Sequence, residues 1–169
     1  MANEEDVSKT PAELEEHVWK LARKIQFALF TRRDGDAIAQ WPLTAHVDAD
    51  RRAIFFLVED DGIRYRDVGA SPVTLGFADH PKYLVMRGEA TLSNDREMIR
   101  ELWSPFAKAW WDSPDDPAIR LLTVEPTQAE YWDSGNSLVA SVLMLAAAAT
   151  GAKPAVGEHA KVAMAEPLP

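Results

Sequence analysis

Between Phe27 and Leu92 the chain alternates short apolar runs with turn signals, a pattern that restricts it to antiparallel strands joined by tight connections. Phe27 to Arg32 reads as a strand, Asp34-Gly35 as a hairpin turn, and Ile38 to Val47 as a longer return strand. Pro42 falls inside that return strand and has no N–H for the ladder, so the segment is expected at an edge, at a bulge or facing a ligand. Asp48 to Arg51 supplies a second turn. Ala53 to Val58, with Ile54, Phe55, Phe56 and Leu57 in succession, is too continuously apolar for a half-exposed strand; burial on both faces at the centre of a barrel is expected. Glu59 to Gly69 is charged and weakly helical, and Val73 to Ala78 and Lys82 to Leu92 read as two further strands around Asp79-His80-Pro81.

Helices bracket these strands. Thr10, Pro11 and Glu13 form a start signal of hydroxyl cap, first-turn proline and capping-box acid, and Leu14, Val18, Leu21 and Ile25 then line one helical face. Asn94 with Glu97 predicts a second helix running through Trp103, after which Pro105 bends an aromatic segment, Trp103 to Trp111. Ile119 to Val124 and Gln128 to Trp132 read as two closing strands separated by Glu125-Pro126-Thr127, and Ser137 to Thr150 as a terminal helix. The expected organisation is a flexible stretch over 1–10, one domain over 11–150, and a disordered or loosely packed tail over 151–169. Six or seven short strands with helices between them favour a mainly β, small antiparallel barrel over a parallel α/β sheet.

At 169 residues the chain suits a single domain. It has no cysteine, which removes disulfides, thiol catalysis and thiolate metal sites and agrees with a cytoplasmic location. A net charge of −9 disfavours nucleic acid, and no apolar stretch reaches the roughly 20 residues a bilayer-spanning helix needs, so no nucleic-acid or membrane partner is expected. The signatures of serine hydrolases, zinc proteases, P-loop proteins and Rossmann dehydrogenases are missing. His17, His46, His80 and His159 are too scattered to suggest a metal site: His17 reads as a helix-surface residue, His80 as a turn residue and His159 as part of the tail. Asp60-Asp61 and Asp115-Asp116 read first as solvated loop charges and caps. The six tryptophans are harder to set aside, because indole is costly to expose and suits flat ligands or interfaces. Trp19 and Trp103 are expected to pack on the barrel.

The segments ELWSPFAKAWW (Glu101 to Trp111) and AEYWDSGNSLV (Ala129 to Val139) carry a resemblance, supported by VWKLARKIQFALFTRRDGD, QWPLTA, IFFLV, GFADHPKYLVMRGEATL and the late TGAKPAVGEHAKV. In that order they resemble the bacterial general stress proteins of the pyridoxamine phosphate oxidase-like, FMN-binding split-barrel superfamily. The resemblance implies a six-stranded antiparallel split β-barrel of flavin-reductase type, with an N-terminal helix and a C-terminal helical extension. It further implies a homodimer holding two FMN molecules, or FAD as the alternative flavin, in clefts where the subunits meet.

On that resemblance, Gln40, Trp41, Pro42, Leu43 and Thr44 match the strand that runs beside the flavin ring, with Trp41 standing where an arginine is usual. Val58 and Gly62 match the strand end and following loop, and Arg64 matches the lysine that binds the phosphate, with Arg66 and Lys82 as further cations. Glu59, Asp60 and Asp61 beside Arg64 raise the cost of holding a phosphate unless they point away. Lys108, Trp110, Trp111 and Trp132 are expected to border the cleft from the partner subunit, or to cement the dimer. The resemblance implies an FMN-dependent oxidoreductase of general stress type; a non-catalytic flavin store or sensor and a flavin-free dimeric scaffold are the alternatives. Pyridoxamine phosphate oxidation itself is disfavoured, since no set of basic residues for a substrate phosphate is found. No catalytic residue is assigned.

Overall fold

The computed structural model describes residues 9–135, 137–151 and 157–165. The remainder of the expected flexible N-terminus, residues 1–8, lies outside the described residues, as do 152–156 and 166–169 of the expected tail. Helix α1 (Pro11–Ile25) begins as its sequence predicts: Glu13 N–H donates to Thr10 Oγ1 at 3.2 Å, and Thr10 N–H donates to the Glu13 carboxylate at 2.7 Å. Its apolar face buries Val18, Trp19, Leu21, Ala22 and Ile25.

Eight antiparallel strands form one sheet. They are β1 (Phe27–Asp34), β2 (Ala37–Thr44), β3 (His46–Asp48), β4 (Ala53–Glu59), β5 (Val73–Asp79), β6 (Lys82–Ser93), β7 (Ile119–Asp133) and β8 (Glu158–Ala163). The hydrogen-bonded order is β2-β1-β5-β6-β7-β4-β3, with β8 also on β7. The sheet curls until β2 approaches β4, but no ladder closes it among the described residues. The expectation of six strands is thereby corrected to eight in an unclosed sheet. Mainly β architecture with flanking helices stands.

Several local expectations change as well. The long return strand breaks at Ala45, whose N–H donates to Gln26 O at 2.7 Å, so Ile38 to Val47 divides into β2 and β3. Strand β4 is buried on both faces as expected, yet it lies next to the edge strand β3 rather than at the centre. The two closing strands are one, because Glu125-Pro126-Thr127 forms a bulge within β7 and not a turn. Helix α2 (Arg96–Leu102) is capped by Asp95, whose carboxylate accepts Met98 N–H at 3.0 Å, and not by Asn94. Helix α3 (Ser137–Thr150) forms as expected.

The largest correction concerns the two chain ends. Residues 158–163 pair with β7 from Gln128↔Ala163 to Asp133↔Glu158, so this part of the expected loose tail is a strand of the sheet. Ala160, Val162 and Met164 alternate inward and are buried, a period-2 pattern obscured in the sequence by small residues. Lys9 and Thr10, expected to be flexible, are also fixed: Thr10 caps α1, and Lys9 Nζ lies 2.6 Å from the Glu158 carboxylate.

Two apolar cores follow from the alternation. The main one gathers Phe30, Ile54, Phe56, Leu75, Phe77, Leu84, Met86, Leu122 and Tyr131 beneath α1. The smaller lies on the other side of β4 and β7, where Ala53, Phe55, Ile119 and Leu121 meet Ile99 of α2. Each fully buried large side chain contributes about 1.5–3 kcal/mol relative to exposure.

At the bulge, Thr127 is the extra residue and its hydroxyl donates to Arg87 O at 3.2 Å. Gly88 opposite has no room for a side chain: a Cβ there meets Glu125 O at 2.3 Å and Pro126 Cα at 2.8 Å, both backbone. Gly88→Ala should therefore lower unfolding stability by about 1–3 kcal/mol in a urea titration, through overpacking; an unchanged midpoint contradicts this account.

A polar network ties the ends to the sheet. Lys82 Nζ donates to Asp133, Tyr131 OH donates to Glu158, and His17 Nε2 lies 3.1 Å from Asp133 Oδ2 without hydrogen-bond alignment. Burial pushes both carboxyl groups up. For Asp133 it is outweighed by Lys82, the Gly135 N–H and His17; for Glu158, by Lys9, Tyr131 and His17. Both pKa values end below the usual carboxylate range. Depressed folded-state values mean stability that is present above the ordinary carboxylate pKa and lost as pH falls through the folded one. Stability should thus be level near neutrality and decline from about pH 4 downward, and Asp133→Asn should flatten that acid limb; a wild-type acid limb in the variant contradicts the assignment.

Candidate functional site

Strand β2 lies at one end of the sheet and pairs only with β1 among the described residues, in register from Phe27↔Thr44 to Asp34↔Ala37. Period-2 geometry sends Gln40, Pro42 and Thr44 to the outer face, where they are exposed, and turns Trp41 and Leu43 toward the core, half-buried. Pro42 sits opposite Leu29, and its missing N–H is tolerated at this edge. Gln40 Nε2 donates to Thr31 Oγ1 at 3.0 Å.

Trp41 is the hinge of the site. Its indole stands 5.2 Å from the Phe30 ring and edge-on to Tyr65 at 5.5 Å, and its Nε1–H donates to Tyr65 OH at 2.9 Å. The Arg64 guanidinium lies over the same indole, 5.6 Å from the ring centroid. The structure therefore brings Trp41 and Arg64, two of the candidate residues, together and adds Tyr65. Burial pushes the Tyr65 hydroxyl up despite the Trp41 hydrogen bond and Arg64, so it stays protonated at neutral pH and is no base there. Tyr65 carried one signal that was missed: a half-buried indole N–H needs an acceptor.

The acidic loop beside Arg64 is turned onto itself. Asp60 Oδ1 accepts Gly62 N–H at 3.0 Å and Asp60 Oδ2 lies 3.4 Å from Arg120, while Asp61 Oδ1 accepts the Ile63 and Arg64 N–H groups at 2.9 and 2.7 Å. Those two backbone hydrogen bonds, with the charge of Arg64, hold the Asp61 carboxyl below its usual range against the small effect of burial. Gly62 takes φ +70°, a left-handed turn that favours glycine, and its carbonyl accepts from Arg66 at 3.1 Å. Of the two further cations, Arg66 is thus engaged with the loop and Lys82 with Asp133. Val58 is buried, so its side chain faces the core and not a cleft.

The remaining candidates stand apart from Trp41 within one chain. Lys108 and Trp110 belong to a 3₁₀ turn and its end, both exposed, whereas Trp111 packs against the smaller core behind β4. Its Nε1 is buried with no hydrogen-bond partner among the described residues. Trp132 lies on the outer face of β7, stacked on His159 of β8 at 5.0 Å and 13°, and His159 Nε2 lies 2.9 Å from Glu130. His159, assigned to the tail by sequence, is therefore an ordered neighbour of a candidate residue. His46 lines a separate pocket of about 310 Å³ with Arg23, Asp48, Arg51 and Glu101, and burial lowers its pKa.

The outer face of the sheet has an apolar end. Phe27, Leu29, Tyr83, Val85 and Trp132 expose 38–65% of their surface there, and the cross-strand row Pro42, Leu29, Gly76, Val85 runs through it. So large a set of exposed apolar side chains on one face is the mark of an interaction surface.

Comparisons agree with this geometry. A 30% identical stretch of 67 residues matches general stress protein 26 of Bacillus subtilis (strain 168), covering 40% of this chain and 46% of that protein, so the match spans about half the length of the curated relative. The crystal structure of a general stress protein 26 from Jannaschia sp. CCS1 superposes with a TM-score of 0.74 at 26% identity, over 90% of this chain and 99% of that one. A general stress FMN/FAD binding protein from Xanthomonas citri superposes with a TM-score of 0.66 at 24% identity, over 75% and 92% of the two chains, a likeness of fold. The family model described as pyridoxamine 5'-phosphate oxidase like matches residues 13–155, which takes in α1 from Glu13 onward, every strand from β1 to β7, and the positions of Trp41 and Arg64: this chain belongs to the pyridoxamine 5'-phosphate oxidase-like family.

Proposed function

We propose that the protein binds FMN between the two subunits of a homodimer and works as a general-stress-type flavin oxidoreductase. The observation that carries the reading is Arg64: its guanidinium rests on the Trp41 indole beside the exposed edge of β2, while Asp60 and Asp61 are tied to backbone N–H groups and Arg120. A planar guanidinium with no carboxylate ion-pair partner among the described residues suits a phosphate, which it can meet with two hydrogen bonds. Gln40, Pro42 and Thr44 on the outer face of β2 supply a wall against which a flat ring can lie. Trp110, Trp111 and Trp132 do not reach Trp41's core within one chain, so a border of indoles around the ligand requires the second subunit. The exposed Phe27, Leu29, Tyr83, Val85 and Trp132 surface is the face on which that copy is placed. Bound flavin supplies the hydride or electron chemistry; the chain's residues hold its phosphate, border its ring and exclude water.

One observation favours flavin binding without turnover as the second reading. The titratable groups at the Trp41 cluster are Arg64 and a Tyr65 held in its protonated form, so no side chain there is ready to take a proton at neutral pH. Oxidation of NADH or NADPH by the flavin-loaded protein separates the two, since a store or sensor retains flavin without consuming either.

Purified protein mixed with FMN and passed through gel filtration should keep the paired flavin absorption bands at the elution volume of a dimer. Arg64→Ala should weaken FMN binding by about ten- to 150-fold, the loss of a charge-assisted contact of about 1.5–3 kcal/mol; unchanged affinity removes Arg64 from the phosphate site. Leu29→Asp, a change on an already exposed position, should leave the fold intact by circular dichroism while shifting the protein to monomer and releasing flavin. A dimer that survives it places the interface elsewhere.

A further inference from the structure

At the bulge the neighbours of β7 change. Strand β4 pairs with β7 from Ile119 to Val124 and then leaves, and β8 takes the same edge from Gln128 to Asp133. On the outer face over this junction lies an open groove of about 450 Å³. Thr74, Arg87 and Gln128 cross its floor as one row of paired positions, with Lys161 beside them on β8 opposite Glu130. Val85 and Ala163 add apolar surface.

Charge in the groove is unbalanced. Neither the Arg87 guanidinium nor the Lys161 ammonium has an ion-pair or hydrogen-bond partner among the described residues, although acids outnumber bases 27 to 18 in the chain. Glu130, the carboxylate in the lining, is turned to His159 at 2.9 Å. Strands two apart lie about 9–10 Å from each other, and Lys161 is set two positions, about 7 Å, along from the Arg87 row, a diagonal of about 12 Å that the two long side chains bridge when both reach inward for one oxyanion. The backbone on the Arg87 side is held by the bulge residue Thr127, whose hydroxyl donates to the Arg87 carbonyl, and Gly88 packs closely against the Glu125 and Pro126 backbone.

We propose that this groove binds a small organic oxyanion, a carboxylate or phosphate monoester, with its charged end between Arg87 and Lys161, its polar edge on Thr74 and Gln128, and its apolar part on Val85 and Ala163. The site uses none of the residues assigned to the flavin itself and shares only Val85, at its rim, with the face proposed for the second subunit. Its charged centre lies toward the polar end of the outer face, where Arg87 and Gln128 stand two positions along β6 and β7 from Val85 and Glu130.

Isothermal titration of the full-length protein with phenyl phosphate, benzoate and inorganic phosphate tests this. Phenyl phosphate or benzoate should bind saturably in the millimolar range or tighter, more tightly than inorganic phosphate, and with an affinity that falls as salt is raised. Arg87→Ala with Lys161→Ala should weaken that binding at least about tenfold, with circular dichroism and FMN retention unchanged; Lys161→Arg alone should preserve it. Absence of saturable binding, equal affinity for inorganic phosphate, or binding unaffected by the double variant overturns the proposal. Loss of FMN retention in wild-type protein with organic-anion binding intact defeats the flavin reading alone.

Discussion

Strand β7 has two different partners on one edge, and the bulge at Glu125-Pro126-Thr127 is what allows it. Before the bulge the edge carries β4, whose opposite face packs on α2; after it the edge carries β8, drawn from the far end of the chain. On the other edge β6 runs alongside throughout, so the fork is held to an unbroken neighbour. A bulge adds twist and bends its strand; before it, Ile119 and Leu121 of β7 pack in the smaller core, and after it Tyr131 faces the main core while Trp132 faces outward. Gly88 is the condition for this arrangement, since the carbonyl of Glu125 occupies the space a side chain would need. Both the exposed apolar face and the Arg87–Lys161 groove depend on that one backbone accommodation.

Legibility in the sequence followed the strength of local signals. The capping box at Thr10 and Glu13, the β1–β2 hairpin, whose turn falls at Gly35-Asp36, one residue later than the expected Asp34-Gly35, and the continuous apolar run in β4 were readable because each is decided by neighbours within a few residues. The Glu125-Pro126-Thr127 segment looked like a turn for the same reason: proline between two strand-like runs is the usual mark of one. Only pairing with β6 across the sheet keeps the chain extended there. Strand β8 was hidden by composition, because Ala160, Val162 and Met164 bury little area each and the segment follows a glycine- and proline-containing stretch. Its place is fixed by long-range contacts, above all Lys9 and Tyr131 meeting at Glu158, which no local pattern announces.

The candidate site divides along the same line. Trp41 and Arg64 were named by matching motifs, and the structure puts them in contact; Tyr65, which accepts the Trp41 indole N–H, was passed over because the signal for it lies in Trp41, 24 residues away, and not in its own loop. The worry over Glu59, Asp60 and Asp61 was sound as charge arithmetic and incomplete as geometry. An aspartate whose oxygen accepts backbone N–H groups two and three residues on is spent on its own turn, and Asp61 is in that state. What sequence counts as three negative charges beside the proposed phosphate site is partly a scaffold that shapes the loop presenting Arg64.

A tryptophan at position 41, where the family resemblance leads one to expect an arginine, therefore has a structural logic. An arginine at that position needs solvent or an anion for its guanidinium, whereas an indole half-buried against Phe30 joins the apolar core and offers one N–H and one π face. The N–H is satisfied by Tyr65 and the face by Arg64, so the positive charge returns to the edge of β2 from the adjacent loop. A cation delivered this way is held by a ring contact and by the anchoring of Tyr65 rather than by its own backbone position. Under the proposed function, the strength of a phosphate contact at this edge is then coupled to how firmly residues 60–67 are docked, and the Asp60 and Asp61 hydrogen bonds that fold the loop support the proposed site without touching a ligand.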